Sequence, residues 1–170
     1  KWDCHSCGNC CRGSVIPFFK GLIDSGSNEL PITHMDMTRF WIRLDEGVDL
    51  VFKALREANG GEIYVSKIPS YKVSDIALAM HPQAILKDIG IREGEKLHEV
   101  MITEEDSMGT YDYGDHFIIY PNFDWADTAK NMKKGGNKVA AGFRYSSDTN
   151  SDWLNIPQIK KLLKRIEIVY

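Results

Sequence analysis

The residues best suited to binding a ligand lie in one charged segment, Ile91 to Glu99. Within it, Arg92 and Glu95 stand three residues apart, with Gly94 between them. A planar guanidinium can hold two phosphate oxygens at once, and a carboxylate can accept from two neighbouring sugar hydroxyls. Because Gly94 lets the backbone turn tightly, both side chains could face one nucleotide diphosphate. The alternative interpretation is a charged turn exposed to solvent.

Two further segments each have a binding and a purely structural interpretation. Arg39 stands between bulky residues in the segment Asp36 to Trp41. It is either a second phosphate contact, its aliphatic stem packed on aromatic surface, or an ordinary arginine of an edge strand. The segment Ser14 to Phe19 offers either an apolar wall for a flat base or the start of a helix whose apolar residues belong to the core.

The cysteines are confined to the first eleven residues, at Cys4, Cys7, Cys10 and Cys11. This spacing is compatible with zinc or an iron–sulfur cluster. A structural zinc site, however, usually draws its ligand pairs from separate segments, and four thiolates this close would strain a tetrahedral site. We therefore predict no metal here and keep a small metal-binding protein as an alternative. A disulfide framework would spread its cysteines through the fold, so the rest of the chain is typical of a cytoplasmic protein.

The composition of the 170-residue chain is that of an ordinary globular protein, with 43% hydrophobic residues and a net charge of −3. This charge gives no reason to expect nucleic acid or an acidic membrane surface as a partner. No apolar run approaches the roughly 18 residues of a membrane span, and the first residues do not form a signal peptide. We expect a protein that binds neither nucleic acid nor membrane.

The elements that must position these residues are both helices and strands, and we expect an α/β fold. The helix of about residues 45–58 places Val48, Val51, Phe52 and Leu55 on one face. The strand of residues 85–89 leads directly into the Arg92 segment. Helices are predicted at about residues 14–25, 45–58, 70–80 and 156–166, and strands at 30–33, 37–42, 62–66, 85–89, 100–102 and 116–120.

Six segments, in this order along the chain, resemble one known family. They are Arg12–Phe19, Leu30–Thr33, Met37–Ile42, Gly60–Ser70, Gly90–Glu99 and Tyr145–Asn150. From about Gly8 onward, the chain is similar to the C-terminal half of the UDP-N-acetylglucosamine 4,6-dehydratases. It most resembles the C5-inverting enzymes of the pseudaminic-acid pathway, which belong to the extended short-chain dehydrogenase/reductases.

The resemblance implies a fold, a cofactor and partners. Members of the family bind NADP in an N-terminal doubly wound Rossmann domain, oxidise C4 of the sugar, remove water across C5 and C6, and return the hydride to C6. Residues 12–170 would therefore be the UDP-sugar-binding domain, and residues 1–11 an atypical cysteine-rich start. NADP would be bound by the Rossmann half, which lies outside this chain. The expected partners are the UDP-sugar, a separate Rossmann half and, in the intact family, further copies of the enzyme.

The resemblance also assigns binding roles to residues of this chain. These are Arg39 and Arg92 for the diphosphate, Glu95 for the ribose, Val15, Ile16 and Pro17 for the uracil, and Asn9 near the phosphates. Cys7–Ser14 departs from the family pattern, which is roughly Tyr-Gly-Asn-Val-Val-Gly-Ser-Arg-Gly-Ser, so Asn9 stands in an altered segment. The catalytic lysine and acid residues of the family belong to the other half, and we name no catalytic residue here.

Two functions remain open at the level of sequence. The first is a UDP-N-acetylglucosamine 4,6-dehydratase fragment, or one subunit of a split enzyme. The second is a non-catalytic pseudoenzyme that binds a UDP-sugar. The chain contains neither a glycine-rich G-x-G-x-x-G dinucleotide motif nor a Tyr-x-x-x-Lys pair. We therefore expect no turnover by this chain alone.

Overall fold

The computed structural model describes residues 15–121 and 135–167. Asn9 and the four cysteines lie outside these ranges. The elements in chain order are α1 (Val15–Asp24), β1 (Glu29–Ile32), β2 (Thr38–Phe40), α2 (Leu44–Glu57), β3 (Ile63–Ser66), β4 (Ser70–Lys72), α3 (Val73–Met80), β5 (Ile85–Asp88), β6 (Val100–Ile102), a 3₁₀ turn (Asp106–Gly109), β7 (Thr110–Asp112), β8 (His116–Ile119), β9 (Asn137–Lys138), β10 (Tyr145–Ser146) and α4 (Ile156–Glu167). The fold is mixed α/β, as the sequence predicts.

The described residues divide into two compact units, each built from separated stretches of the chain. Unit 1 contains the residues up to Arg39, Ser70–His98 and those from Trp153 onward. Unit 2 contains Phe40–Pro69 and Glu99–Asp152. No helix within the described ranges combines the length and the apolar character that crossing a membrane requires.

Unit 1 is organised around a pair of parallel strands. β1 pairs with β5 from Glu29 opposite Ile85 to Ile32 opposite Asp88. The pairing ends with a hydrogen bond of 2.9 Å from the Ile89 amide to the Ile32 carbonyl. Helix α3 packs against α1, β1 and α4. The buried side chains of this unit include Phe19, Leu30, Ile32, Met37, Ile76, Ala77, Ile159 and Leu163.

The predicted helix of residues 70–80 is wrong in its first turn. Residues 70–72 form strand β4, which pairs with β2, and the helix begins only at Val73. The Val73 amide donates to the Met37 carbonyl at 3.0 Å, and the Ser70 carbonyl accepts from the Leu154 amide at 2.8 Å. These long-range hydrogen bonds override the local helical pattern, because each buried backbone group must find a partner.

Unit 2 is built on an antiparallel sheet of four strands in the order β3, β8, β7 and β9. A separate antiparallel pair joins β6 to β10. The core of the unit consists of Val65, Ile102, Phe117 and Tyr145, with Phe143 packed against them. Strands β7, β9 and β10 were not predicted, because these segments of two or three residues are too short and too polar to show an apolar pattern, whereas the apolar segment Val100–Ile102 of β6 was predicted.

Helix α2 of unit 2 exposes its apolar side. Leu44 is 86% exposed, Val51 57%, Phe52 56% and Leu55 74%. The half-buried positions of α2 are instead Gly47, Leu50, Lys53 and Ala54. The sequence therefore predicts the helix and its apolar face correctly, but this face does not pack into the core.

The turn before β7 yields a test of packing in unit 2. A Cβ atom at Gly109 would lie 2.6 Å from the Tyr120 carbonyl oxygen, whereas one at Gly21, in α1, would meet nothing within 4 Å. We expect Gly109→Ala to lower the free energy of unfolding by about 1–3 kcal/mol, because the backbone must shift. Gly21→Ala should raise it by about 0.5–1 kcal/mol. Urea unfolding followed by circular dichroism measures both values, and equal stability of the two variants would contradict the packing described here.

Candidate functional site

The side chain of Arg39 holds a neighbouring loop of unit 1 through backbone carbonyls. Its Nη1 donates to the carbonyls of Thr38 at 2.7 Å and Leu97 at 3.1 Å. Its Nη2 donates to the Lys96 carbonyl at 2.8 Å. Hydrogen bonds from a charged donor are worth about 1.5–3 kcal/mol each, roughly twice those between neutral groups. Arg39 therefore fixes the end of the loop that carries Arg92 and Glu95.

Thr38 adds two more bonds between β2 and the same loop. Its amide donates to the Leu97 carbonyl at 3.1 Å, and its hydroxyl is hydrogen-bonded to His98 Nδ1 at 2.8 Å. Thr38 is buried, so both bonds lie away from bulk water. The segment from Lys96 to His98 is thus held along its whole length by two adjacent residues of β2.

The turn from Arg92 to Glu95 is closed by two reciprocal hydrogen bonds. The Glu95 amide donates to the Arg92 carbonyl at 3.0 Å, and the Arg92 amide donates to Glu95 Oε2 at 3.2 Å. Gly94 has φ = +81°, the conformation that the third position of a type II turn requires. The sequence correctly predicts a tight turn that depends on this glycine, and Arg92 is exposed on it.

The position of this turn follows from the parallel pair of strands. β5 ends at Asp88, whose carboxylate accepts from the Gly90 amide at 2.9 Å, and the chain then enters the turn. The carboxyl ends of β1 and β5 lie at one edge, since parallel strands share a direction. In open α/β sheets, ligands bind beyond the carboxyl ends of the strands. The Arg92 turn follows the carboxyl end of β5, an arrangement that suits ligand binding.

The apolar residues predicted to contact a base lie on a different element of unit 1. Val15, Ile16 and Pro17 form the first turn of α1. Val15 and Ile16 are half-buried and Pro17 is exposed. The structure therefore joins Arg39 to the Arg92–Glu95 loop by hydrogen bonds and places the three apolar residues together on α1.

Two contributors to this site were not found from the sequence. The contacts of Thr38 and His98 hold the loop, yet neither residue was given a role. Their positions were informative in one respect, because Thr38 lies within the segment Asp36 to Trp41 and His98 within the segment Ile91 to Glu99. The pairing itself could not be recognised, since 60 residues separate the two.

The segment Tyr145–Asn150, which carries part of the family resemblance, has a structural role in unit 2. The Tyr145 hydroxyl donates to the Ile68 carbonyl at 3.0 Å and accepts from the Ile68 amide at 2.9 Å. Asn150 Nδ2 donates to the same carbonyl at 2.8 Å. Burial raises the pKa of the Tyr145 phenol, whereas the bond with the Ile68 backbone acts to lower it. This segment holds unit 2 together, and no predicted ligand residue belongs to it.

Unit 2 also contains an open cavity of about 620 Å³. Among its lining residues, Lys67 Nζ lies 2.6 Å from Asp112 Oδ1 and 4.6 Å from the centroid of the Phe117 ring. Burial acts to raise the pKa of the Asp112 carboxyl, but bonds from Lys67 and the Gly114 amide hold this pKa below its usual value. Lys67 and Asp112 thus form an ion pair in the wall of the cavity.

Comparison with known proteins gives this geometry a family context. Residues 7–121 match the family described as "Polysaccharide biosynthesis protein". The chain is 44% identical over 161 residues to the UDP-N-acetylglucosamine 4,6-dehydratase (inverting) of Campylobacter jejuni subsp. jejuni serotype O:2, a match that covers 92% of this chain and 48% of that protein. It is 35% identical over 162 residues to the UDP-glucose 4-epimerase of Rickettsia akari, covering 93% of this chain and 47% of the epimerase.

A solved structure shares the fold as well. The X-ray structure of Pen from Bacillus thuringiensis superposes with a TM-score of 0.73 at 25% identity, covering 92% of this chain and 46% of Pen. The chain thus spans about half the length of the relatives it matches. The resemblance to the inverting UDP-N-acetylglucosamine 4,6-dehydratases is confirmed. The match over residues 7–121 shows that this chain belongs to the polysaccharide biosynthesis protein family.

Proposed function

We propose that this chain is the UDP-sugar-binding part of an inverting UDP-N-acetylglucosamine 4,6-dehydratase. The observation that carries the proposal is the Arg92–Glu95 turn, held to β2 by the Arg39 guanidinium. Two relatives of different activity, the dehydratase and the epimerase, both have names that specify a UDP-sugar. The diphosphate and ribose of UDP are the groups that an exposed arginine and a neighbouring carboxylate can recognise together.

In the proposed complex, Arg92 and Glu95 are the direct ligands. In this complex, the guanidinium of Arg92, a residue exposed on the turn, donates two parallel hydrogen bonds to the diphosphate. One carboxylate oxygen of Glu95 accepts the hydrogen bond that closes the turn. Because a carboxylate has about four lone-pair sites, Glu95 can still accept hydrogen bonds from the ribose hydroxyls. Since the turn is already closed by reciprocal hydrogen bonds, less conformational entropy is lost on binding.

Arg39 has a double role in this proposal. It adds positive charge near the diphosphate, and it positions the loop through the carbonyls of Lys96 and Leu97. Val15, Ile16 and Pro17 supply the apolar wall for the uracil. Asn9, near the phosphates, completes the predicted set from outside the described residues.

The remaining assignments extend the proposal to the whole enzyme. The chain corresponds to the C-terminal, substrate-binding half of an extended short-chain dehydrogenase/reductase, and a Rossmann half supplies NADP and the catalytic residues. Among the described residues, the turn after β5 does not fit NADP, because β5 leads into it instead of a helix N-terminus, and the sequence contains no G-x-G-x-x-G motif. No step of the reaction is therefore assigned to these residues. The pathway we favour is that of pseudaminic acid, with a homo-oligomeric enzyme.

The second candidate is a pseudoenzyme that binds a UDP-sugar without converting it. It shares the Arg92 turn, so UDP binding does not separate it from the first candidate. Only the formation of product in the presence of the Rossmann half distinguishes the two.

Replacing Arg92 by lysine tests the diphosphate contact. A lysine keeps the charge but cannot donate two parallel bonds to the phosphates. We expect Arg92→Lys to weaken UDP binding to the 170-residue chain by about 1.5–3 kcal/mol, measured by isothermal titration calorimetry. Arg56→Lys, the same change at an exposed arginine of α2, is the matched control and should leave the affinity unchanged. Equal UDP affinity of Arg92→Lys and the wild type would refute the contact.

A turnover assay tests whether the reaction requires the Rossmann half in addition to this chain. We expect the purified chain, given NADP and UDP-N-acetylglucosamine, to form no 4-keto product, because its sequence has no G-x-G-x-x-G motif to hold a hydride acceptor. Co-expression with the Rossmann half of the Campylobacter jejuni relative should restore a product lighter by one water, followed by mass spectrometry. Product from the chain alone would mean that a catalytic site exists within these 170 residues. Binding of UDP without product in the co-expressed pair would favour the pseudoenzyme.

A further inference from the structure

The open cavity of unit 2, called the unit 2 cavity below, is a second place where a small molecule could bind. Its lining comes from the segment after β3, from β7 and β8, and from the ranges 137–140, 143–145 and 149–152. All these residues belong to unit 2, whereas Arg92 and Glu95 belong to unit 1. None of the described lining residues is one to which the proposed function assigns UDP binding.

The buried part of the lining is aromatic and held in place. The Phe117 ring lies 5.3 Å from the ring of Phe143 and 5.2 Å from that of Tyr145, measured between centroids. The Tyr145 hydroxyl is hydrogen-bonded to both backbone groups of Ile68, which fixes the orientation of its ring. Because the face of an aromatic ring is partly negative, it attracts the C–H bonds on the apolar face of a sugar ring.

The basic side chains within the cavity wall have acidic neighbours. Lys67 Nζ lies 2.6 Å from Asp112 Oδ1, and Arg144 Nη1 lies 3.6 Å from Asp148 Oδ1. A phosphate or carboxylate ligand that approached Lys67 or Arg144 would therefore also approach a negative charge. This arrangement disfavours an anionic ligand, since the attraction and the repulsion largely cancel.

The exposed part of the lining offers both hydrogen-bond donors and acceptors. Lys138 donates, Asp152 accepts, and the side chains of Asn137 and Ser151 do both. Each hydroxyl of a sugar is likewise both a donor and an acceptor. An anion needs donors only, so this mixed set fits a neutral ligand that is rich in hydroxyl groups.

We propose that the unit 2 cavity binds a neutral saccharide of about two hexose units, without a nucleotide. Its volume of about 620 Å³ lies in the range of about 300–1,000 Å³ that is usual for pockets of drug-sized ligands, and a disaccharide is of that size. This site goes beyond the proposed function, in which the bound sugar carries UDP. A glycan segment has the required chemistry, and the chain belongs to the polysaccharide biosynthesis protein family.

Calorimetry with two neutral disaccharides tests this site. The probes are N,N′-diacetylchitobiose and cellobiose, each titrated into the 170-residue chain. The disrupting variant is Lys138→Ala with Asp152→Ala, which removes two exposed side chains of the lining and leaves the net charge unaltered. The matched control is Asp49→Ala with Lys160→Ala, which removes one exposed aspartate and one exposed lysine outside the lining.

We expect at least one of the two disaccharides to saturate a single site on the wild type and on the control. The disrupting variant should bind it about 10-fold more weakly, because hydrogen bonds to the sugar hydroxyls are lost. Melting temperatures of both variants should stay within about 2 °C of the wild type, since the replaced side chains are exposed. Amide NMR signals of residues 137–140 should shift when the disaccharide is added, which locates the binding site.

A comparison with UDP separates this site from the UDP site. Arg92→Lys should leave the affinity for the disaccharide unchanged, because Arg92 belongs to unit 1. The disrupting variant should leave the affinity for UDP unchanged for the same reason. A wild-type chain that binds the disaccharide and not UDP would therefore count against the proposed function and not against the unit 2 cavity.

Four results would overturn the proposal. Two of them are a wild-type chain that binds neither disaccharide, and a disrupting variant that binds as tightly as the wild type. The third is displacement of the disaccharide by UDP, because the sugar would then occupy the UDP site. The fourth is binding of inorganic phosphate that the disrupting variant loses, because the cavity would then be an anion site.

Discussion

The arrangement of the candidate site depends on one charged group that faces backbone carbonyls. The guanidinium of Arg39 donates to the carbonyls of Thr38, Lys96 and Leu97, which ties strand β2 to a loop almost 60 residues further along the chain. Without this contact, only the two hydrogen bonds of Thr38 to Leu97 and His98 would hold the end of the loop to β2. With it, the loop has a fixed start at the parallel pair of strands and a fixed end on β2. A site held in this way loses little entropy when a ligand binds.

The other constraint is the apolar side of α2, which the described residues leave exposed. Unit 2 has its own core around Phe117 and Tyr145, so the exposure of this side is not a general failure to fold. An apolar stripe on an amphipathic helix normally packs against another surface. The two observations together describe a chain in which the loop that carries Arg92 and Glu95 is held at both ends and the apolar side of α2 is exposed.

Much of this could be predicted from the sequence, and the failures have physical causes. The Arg92–Glu95 turn was predicted because its signals are local, a glycine between an arginine and a carboxylate. The hydrogen-bond partners of Arg39 were not predicted, because every residue has a backbone carbonyl and the sequence does not show which of them an arginine will contact. Residues 70–72 were assigned to a helix, since the hydrogen bonds from the Val73 amide to the Met37 carbonyl and from the Leu154 amide to the Ser70 carbonyl cannot be recognised from local periodicity. The apolar face of α2 was recognised, because periodicity shows which residues share one face of a helix. Periodicity does not show whether that face is buried, and here it is exposed.

The central claim is that Arg39 preorganises the Arg92–Glu95 turn for UDP. Amide hydrogen exchange of the chain with and without UDP measures it most directly, comparing the wild type with Arg39→Met, which keeps the aliphatic stem and removes the donors. In the wild type, UDP should slow exchange at the Glu95 amide, which bonds the Arg92 carbonyl. In Arg39→Met, that amide should exchange faster before UDP is added and gain little protection from it. Equal protection of the Glu95 amide by UDP in both proteins would contradict the account.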